Sequence, residues 1–151
     1  MGDGSKITEN KIWSRIKPWL IGYRVRVENL LTSGLSDVLW CPNGRSVFLE
    51  LKVRDGNYIT VRNSQIVFGI DARVSVPPHQ HLFVVGTSQD EPLYLYRFNS
   101  IERCPSILSS QPGKQRFFIA DTPDDFEWTG AKDVSDYIKF LEESKKDGAV
   151  S

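Results

Sequence analysis

Long apolar runs are missing from this chain. None of its 151 residues falls in an uninterrupted apolar stretch of 18, and no charged-then-apolar leader opens it. From those absences we expect a soluble, cytoplasmic protein with neither a helical membrane span nor a secretory signal. Cysteine is scarce. Cys41 and Cys104 are the only two, without metal-ligand spacing, so neither a disulfide scaffold nor a zinc ribbon is expected. Cys41, at a predicted strand end, reads as a packed thiol. The two histidines, His79 and His81, stand apart from cysteines and carboxylates and do not argue for zinc. No segment repeats and none is of low complexity. Net charge is also absent, with 19 Lys and Arg against 19 Asp and Glu, so no overall field draws a polyanion to the chain.

The charge that is present is unevenly placed. Residues 1–85 hold 11 basic against 7 acidic side chains, a surplus of four, and residues 86–151 hold 8 against 12, the mirror image. A basic first half suits a phosphate-rich partner, although a small protein can acquire such a skew by chance. The length and the 40% hydrophobic content, with 11% aromatics, suit one compact domain with its own core.

One stretch organises the rest. From Gly34 to Lys52 the sequence reads as two short strands, about Asp37–Cys41 and Ser46–Val53, joined by Pro42-Asn43-Gly44. Proline fixes φ and Asn-Gly tolerates positive φ, as a tight hairpin requires. In the second strand Val47, Leu49, Leu51 and Val53 share one face, and Phe48, Glu50 and Lys52 share the other. A strand this apolar is expected at the centre of a sheet, covered on both sides. Glu50 and Lys52 then either pair on a solvated face or stand buried with dedicated partners. Asp37, on the neighbouring strand, is placed to approach Glu50. Two carboxylates held together make a seat for a hard divalent cation.

Around this stretch the expected order is simple. A first helix runs from Lys6 or Thr8 to about Lys17, ended by Pro18. Its stripe is Glu9, Ile12, Trp13, Ile16 and Leu20. Glu9 is the odd member, a carboxylate suited either to the helix N-terminal dipole or to a site. Tyr23–Val27 alternates as a strand, with Arg24 and Arg26 on one face. Arg54–Thr60 reads as a polar loop over a substrate. A second helix covers about Arg62–Val74, with Val67, Ile70 and 72–74 as its apolar face and Gln65 in its first turn. Pro77-Pro78 breaks the chain before a buried strand, His81–Gly86. Leu93–Phe98 is expected as an edge strand, 99–115 as irregular, 116–120 as a short strand and 122–130 as an acidic loop. A last amphipathic helix, about Ala131–Lys146, carries Val134, Tyr137, Ile138 and Leu141 on one stripe, for packing on the domain or on a second subunit.

The series Gly34-x-x-Asp37, Glu50-Leu51-Lys52 and Gln65, in a helix–three strands–helix–strand order, resembles the PD-(D/E)XK nuclease superfamily. Within it the likeness is to the virus-type replication-repair nucleases, which include phage-encoded members, and to Holliday-junction resolvases. It covers about residues 6–86. It implies an α/β fold with a restriction-endonuclease-like core, a mixed sheet flanked by helices; residues 87–151 lie outside the likeness and are expected, from their own pattern, to extend the same single domain by a C-terminal strand and helix. It also implies a metal-dependent DNA endonuclease, with branched DNA as partner, a homodimer where two strands are cut, and the host cytoplasm as location for a phage-encoded copy. By position, Asp37 and Glu50 match the metal-binding acids and Lys52 the catalytic lysine. Gln65 matches the helix-borne glutamine, and Glu9 fits the helix-one glutamate better than Glu28 does. The Leu51 carbonyl is a further candidate ligand for Mg²⁺ or Mn²⁺. The departure is Gly-Leu-Ser-Asp where the family has proline before the acid, which loses turn rigidity but no reacting group. The alternatives are a non-catalytic binding module on the same fold, and an interaction protein working through its acidic C-terminal part.

Overall fold

The computed structural model describes residues 7–27, 37–75 and 80–148, the last five as backbone. Glu28, the Gly34 turn and the Pro77-Pro78-His79 break lie outside the described residues. Among those described, no helix is long and apolar enough to cross a membrane.

Helix α1 (Glu9–Ile16) starts at Thr8, whose hydroxyl accepts the Lys11 N–H at 3.2 Å, an N-cap that satisfies one free amide of the first turn. Pro18 sits in a short 3₁₀ turn over Lys17–Trp19 that ends it. Strands β1 (Tyr23–Arg26), β2 (Val38–Cys41) and β3 (Val47–Val53) follow. The β2–β3 connection closes over Pro42–Gly44, with Asn43 at φ 51° and Gly44 at φ 79°, the left-handed positions the turn residues supply.

The next segment departs from expectation. Residues 54–60 are not a free loop: Asp55 bridges Tyr58 across a tight turn, and the chain enters β4 (Tyr58–Arg62) before α2 (Asn63–Val74). Strand β5 (Gln80–Gly86) runs parallel to β3. Strand β6 (Leu93–Arg97) is interior rather than at an edge, because β9 (Phe126–Trp128), in the stretch expected to be acidic loop, pairs with its outer side. The span read as irregular holds α3 (Phe98–Glu102) and β7 (Ser106–Leu108), and β8 spans Lys114–Phe118. Helix α4 covers Ala131–Gly148.

These strands make two sheets. The large one is mixed, in the order β1-β2-β3-β5-β6-β9, with β3 and β5 parallel at its centre, and the small antiparallel one is β4-β8-β7. The fold is thus a mixed α/β sheet flanked by helices. Alternate residues of the central strands feed two cores. Val47, Leu49, Leu51, Leu82 and Val84 face α1 and α4, where Ile12, Ile16, Val134, Tyr137 and Leu141 close the packing. So α4 packs on its own domain. Phe83 and Val85 face the other way, toward Ile59 and Val61 of β4, Phe98 of α3 and Phe117 of β8.

Helix α2 turns its expected face outward. Val67, Ile70 and Val74 are exposed, while Gln65, Gly69 and Ala72 are buried. The reason is close approach: a Cβ at Gly69 would lie 2.3 Å from the Phe98 ring, so only small residues fit between helix and core.

Candidate active site

The second face of β3 is where the charges lie. Glu50 is fully buried, Lys52 is 9% exposed and Gln65 is 2% exposed. Burial of such groups is tolerated only with partners, and here they are partners of one another. Gln65 is the hub. Its Oε1 accepts the Lys52 ammonium at 2.9 Å and the Arg62 backbone N–H at 3.0 Å, and its Nε2 donates to Glu50 Oε1. The bond to Arg62 is half of a capping box, a glutamine at the third helical position reaching back to the residue before the helix. Gln65 therefore starts α2 and also spans the two charged residues of β3.

Asp37, just before β2, is brought in from the other side. Its Oδ2 accepts the Leu51 N–H at 2.9 Å. An N–H and C=O of one strand residue point to the same side, as in an exchanged antiparallel pair, so the Leu51 carbonyl is turned to the same edge of β3 as the N–H that Asp37 accepts. Glu9, in the first turn of α1, completes the group from the rim, where it is exposed rather than turned into the core. Glu9, Asp37, Lys52 and Gln65 line one cleft of about 450 Å³, together with Thr60, Arg62, Gln111 and Lys114.

Nothing in the linear pattern announces those last four. Thr60 and Arg62 come from β4, read as the end of a polar loop and the start of the second helix, and Gln111 and Lys114 from the turn before β8 and its first residue, read as irregular ahead of a short strand expected only from 116. Their one signal is the alternation Tyr58-Ile59-Thr60-Val61-Arg62, apolar at every second place. His81 is a further residue that sequence reasoning misses. It stacks against Phe98 at 5.7 Å and Phe83 at 5.1 Å, with Nε2 3.8 Å from Glu50 Oε2.

Crowding sets the electrostatics. Burial, then the Asp37 carboxylate, push the Glu50 pKa well above the usual carboxylate range, against the opposing pull of Lys52. Glu9 is raised by the same two causes, more modestly. Burial lowers Lys52, while Glu50, Asp37 and Glu9 hold its charge in place. His81 is lowered to about 4, chiefly by burial and then by Lys52, and is neutral near pH 7.

The site has an unmet demand. Glu50 Oε2 is buried against the Asp37 carboxylate, whose charge and side-chain hydrogen bond both raise the Glu50 pKa. Among the described residues no three His, Cys, Asp or Glu side chains stand as a ready-made metal cluster. Two carboxylates and a backbone carbonyl are nevertheless the donors a small hard cation takes, with water completing its shell. The residues present fit such an ion, and it would offset the carboxylate–carboxylate repulsion that helps to raise the Glu50 pKa.

No protein-family model matches this chain, and no curated protein does. The fold does have counterparts among solved structures. It is similar to that of Hjc, a Holliday junction resolvase from the archaeal hyperthermophile Archaeoglobus fulgidus, with a TM-score of 0.51 over 73% of this chain and 84% of that one. Only 9% of residues are identical, so the likeness is one of fold. It agrees with the restriction-endonuclease-like α/β architecture expected from the sequence, and it adds nothing to the narrower resemblance to virus-type replication-repair nucleases.

Proposed function

We propose that this protein is a divalent-metal-dependent endodeoxyribonuclease acting on branched DNA, such as a four-way junction. One observation carries the reading. Asp37, Lys52 and Gln65, from three parts of the chain, line a single cleft, and the fully buried Glu50 is tied to them by the Gln65 hydrogen bond and by its charge. The resolvase-like fold supports the choice of substrate.

In this reading Asp37, Glu50 and the Leu51 carbonyl would hold one or two Mg²⁺ or Mn²⁺ ions. Such an ion, when bound, lowers the pKa of water and offsets charge on a phosphoryl group. The chain's own residues do the rest. Lys52 presents a fixed positive charge to the phosphate oxygens, where charge grows as the phosphodiester is attacked. Gln65 keeps that ammonium in place and holds Glu50 Oε1 from the opposite side. Glu9 adds a third carboxylate at the rim, over the path by which water and substrate enter. A homodimer would present two clefts to the two strands of a symmetric junction, and the protein would act in the cytoplasm, of the host if phage-encoded.

The test is cleavage of a four-way junction, a linear duplex and a single strand, with and without Mg²⁺ or Mn²⁺. Asp37→Ala and Lys52→Ala should each lower the rate by ~10²–10³-fold or more while circular dichroism stays native. Wild-type cleavage by either variant sinks the assignment. A sedimentation mass of one chain removes the dimer.

A further inference from the structure

The small sheet has two unlike faces. Ile59, Val61 and Phe117 point into the second core. Directly opposed residues of an antiparallel pair share a face, so the other face carries Tyr58, Thr60 and Arg62 of β4 opposite Phe118, Arg116 and Lys114 of β8. The Arg62–Lys114 rung is the end of this face that opens on the cleft, and both side chains line it.

That rung is unusual in two ways. Like charges directly across an antiparallel pair destabilise the sheet, since their Cβ atoms stand only ~5 Å apart. Further, other arginines nearby are already engaged. On the same face the Arg116 guanidinium lies 4.4 Å over the Tyr58 ring and 4.0 Å from Asp55. Elsewhere Arg73 pairs with Glu102, Arg97 with Asp125 and Arg45 with Glu142. Among the described residues neither Arg62 nor Lys114 forms an ion pair. Arg62 lies in the field of Glu9 and Glu50; Lys114 stands opposite with no acid of its own among them. Two such cations side by side at the mouth of an acidic cleft are a seat for an anion with oxygens to share.

We propose that the Arg62–Lys114 rung binds a backbone phosphate next to the one positioned at the acid cluster. The outer face of β4–β8 is then the track along which a DNA strand reaches the cleft. This deepens the nuclease reading and rests on it for the identity of the strand. It also gives the C-terminal half, which is acidic overall, a basic contribution to the cleft it helps to line.

The experiment measures binding rather than cleavage. Fluorescein-labelled four-way junction, duplex and single strand are titrated in EDTA at salt from ~50 to ~200 mM, because each phosphate that a protein neutralises adds about 0.7–0.9 to the log–log salt slope. Arg62→Ala and Lys114→Ala should each weaken binding by roughly 3–10-fold and lower the slope by about one, and the double variant by about two. Lys114→Arg should keep the slope. Lys132→Ala, on α4 and paired with Asp136, should change neither. Thermal melting checks that the variants fold. A double variant with wild-type affinity and slope overturns the proposal, as does a wild-type chain that binds none of the three DNAs. If Asp37→Ala still cleaves but the rung variants lower the slope, the catalytic assignment fails and the track stands. If Asp37→Ala is inactive and the slope is unmoved, the reverse holds.

Discussion

The two sides of the central sheet are made from alternate residues of the same two strands, yet they differ in kind. Toward α1 and α4, β3 and β5 present Val47, Leu49, Leu51, Leu82 and Val84, all fully buried and all apolar. Toward α2 and the small sheet they present Glu50, Lys52 and His81 among Phe83 and Val85. The four buried polar or charged side chains of the described residues, Gln65 among them, lie on this second side. The first side is close-packed hydrocarbon and aromatic ring, with Trp40 held edge-on to Trp128 at 6.1 Å and near-parallel to Tyr137 at 6.2 Å. The second trades part of that packing for groups whose ionisation costs energy in the absence of a ligand. The lesson is a division of labour across one strand: odd positions of β3 hold the fold, and even positions hold the chemistry.

The sharpest way to break that contrast is on the dry side. Trp40→Ala removes a fully buried ring and its indole bond to the Ile21 carbonyl at 2.8 Å. It should cost about 3–5 kcal/mol in urea denaturation, with any surviving folded protein keeping its cleft. A destabilisation under ~1 kcal/mol would mean the first core is not the one that carries stability.

On the wet side the expected signs reverse. His81 has both ring nitrogens buried without hydrogen bonds, so His81→Phe should stabilise near neutral pH by about 1–2 kcal/mol. The pH dependence follows from linkage. The folded pKa, about 4, lies below the ordinary 6.5, so wild-type stability is full above 6.5 and declines as pH falls toward 4. The Phe variant should lack that component, so its advantage should grow by up to about 3 kcal/mol across the window. An advantage that shrinks on acidification would show that His81 is charged and satisfied in the fold.

The smallest effect, and the most informative, is at Glu50. Its folded pKa is raised, so the stability it confers is complete below the ordinary carboxylate value of 4.5 and is lost as pH rises through the folded value. Glu50→Gln should therefore stabilise the metal-free protein at pH 8 by about 1 kcal/mol, or roughly 2–4 °C in melting temperature. The gain should vanish near pH 4. Millimolar Mg²⁺ should raise the wild-type midpoint and leave the Gln variant unmoved, as binding to the native state alone requires. Equal midpoints at pH 8 would place Glu50 in water, and the two sides would then be alike.

Much of this contrast can be read along the chain. Strict alternation in Val47–Val53 separates the faces, and the hairpin, α1, β5 and α4 follow from turn residues and period. What escapes is set by distant partners. Strand β4 is polar at every second residue and follows Asp-Gly-Asn, so it passes for loop until β8 pairs with it. Strands β7 and β9 are three residues each, too short to show a period. On α2 the apolar residues face out because Phe98 fills the space beside Gly69, a constraint that no helical pattern within 63–74 encodes. The site divides in the same way. Strand logic groups Asp37, Glu50 and Lys52, near neighbours in sequence, and the family resemblance adds Gln65, whereas Lys114 joins Arg62 only through the register of the small sheet.

That register has a bearing on synthesis. The ribosome releases residues 7–86 well before the strands and helix that cover them, and neither flank of the sheet is closed until β8, β9 and α4 have emerged. A nascent chain halted near Gly86 would show bare Val, Leu and Phe on both surfaces and be a target for chaperones and proteases. The wall of the cleft that bears Lys114 arrives late, so a product truncated near Gly86 would lack both a closed core and a complete cleft.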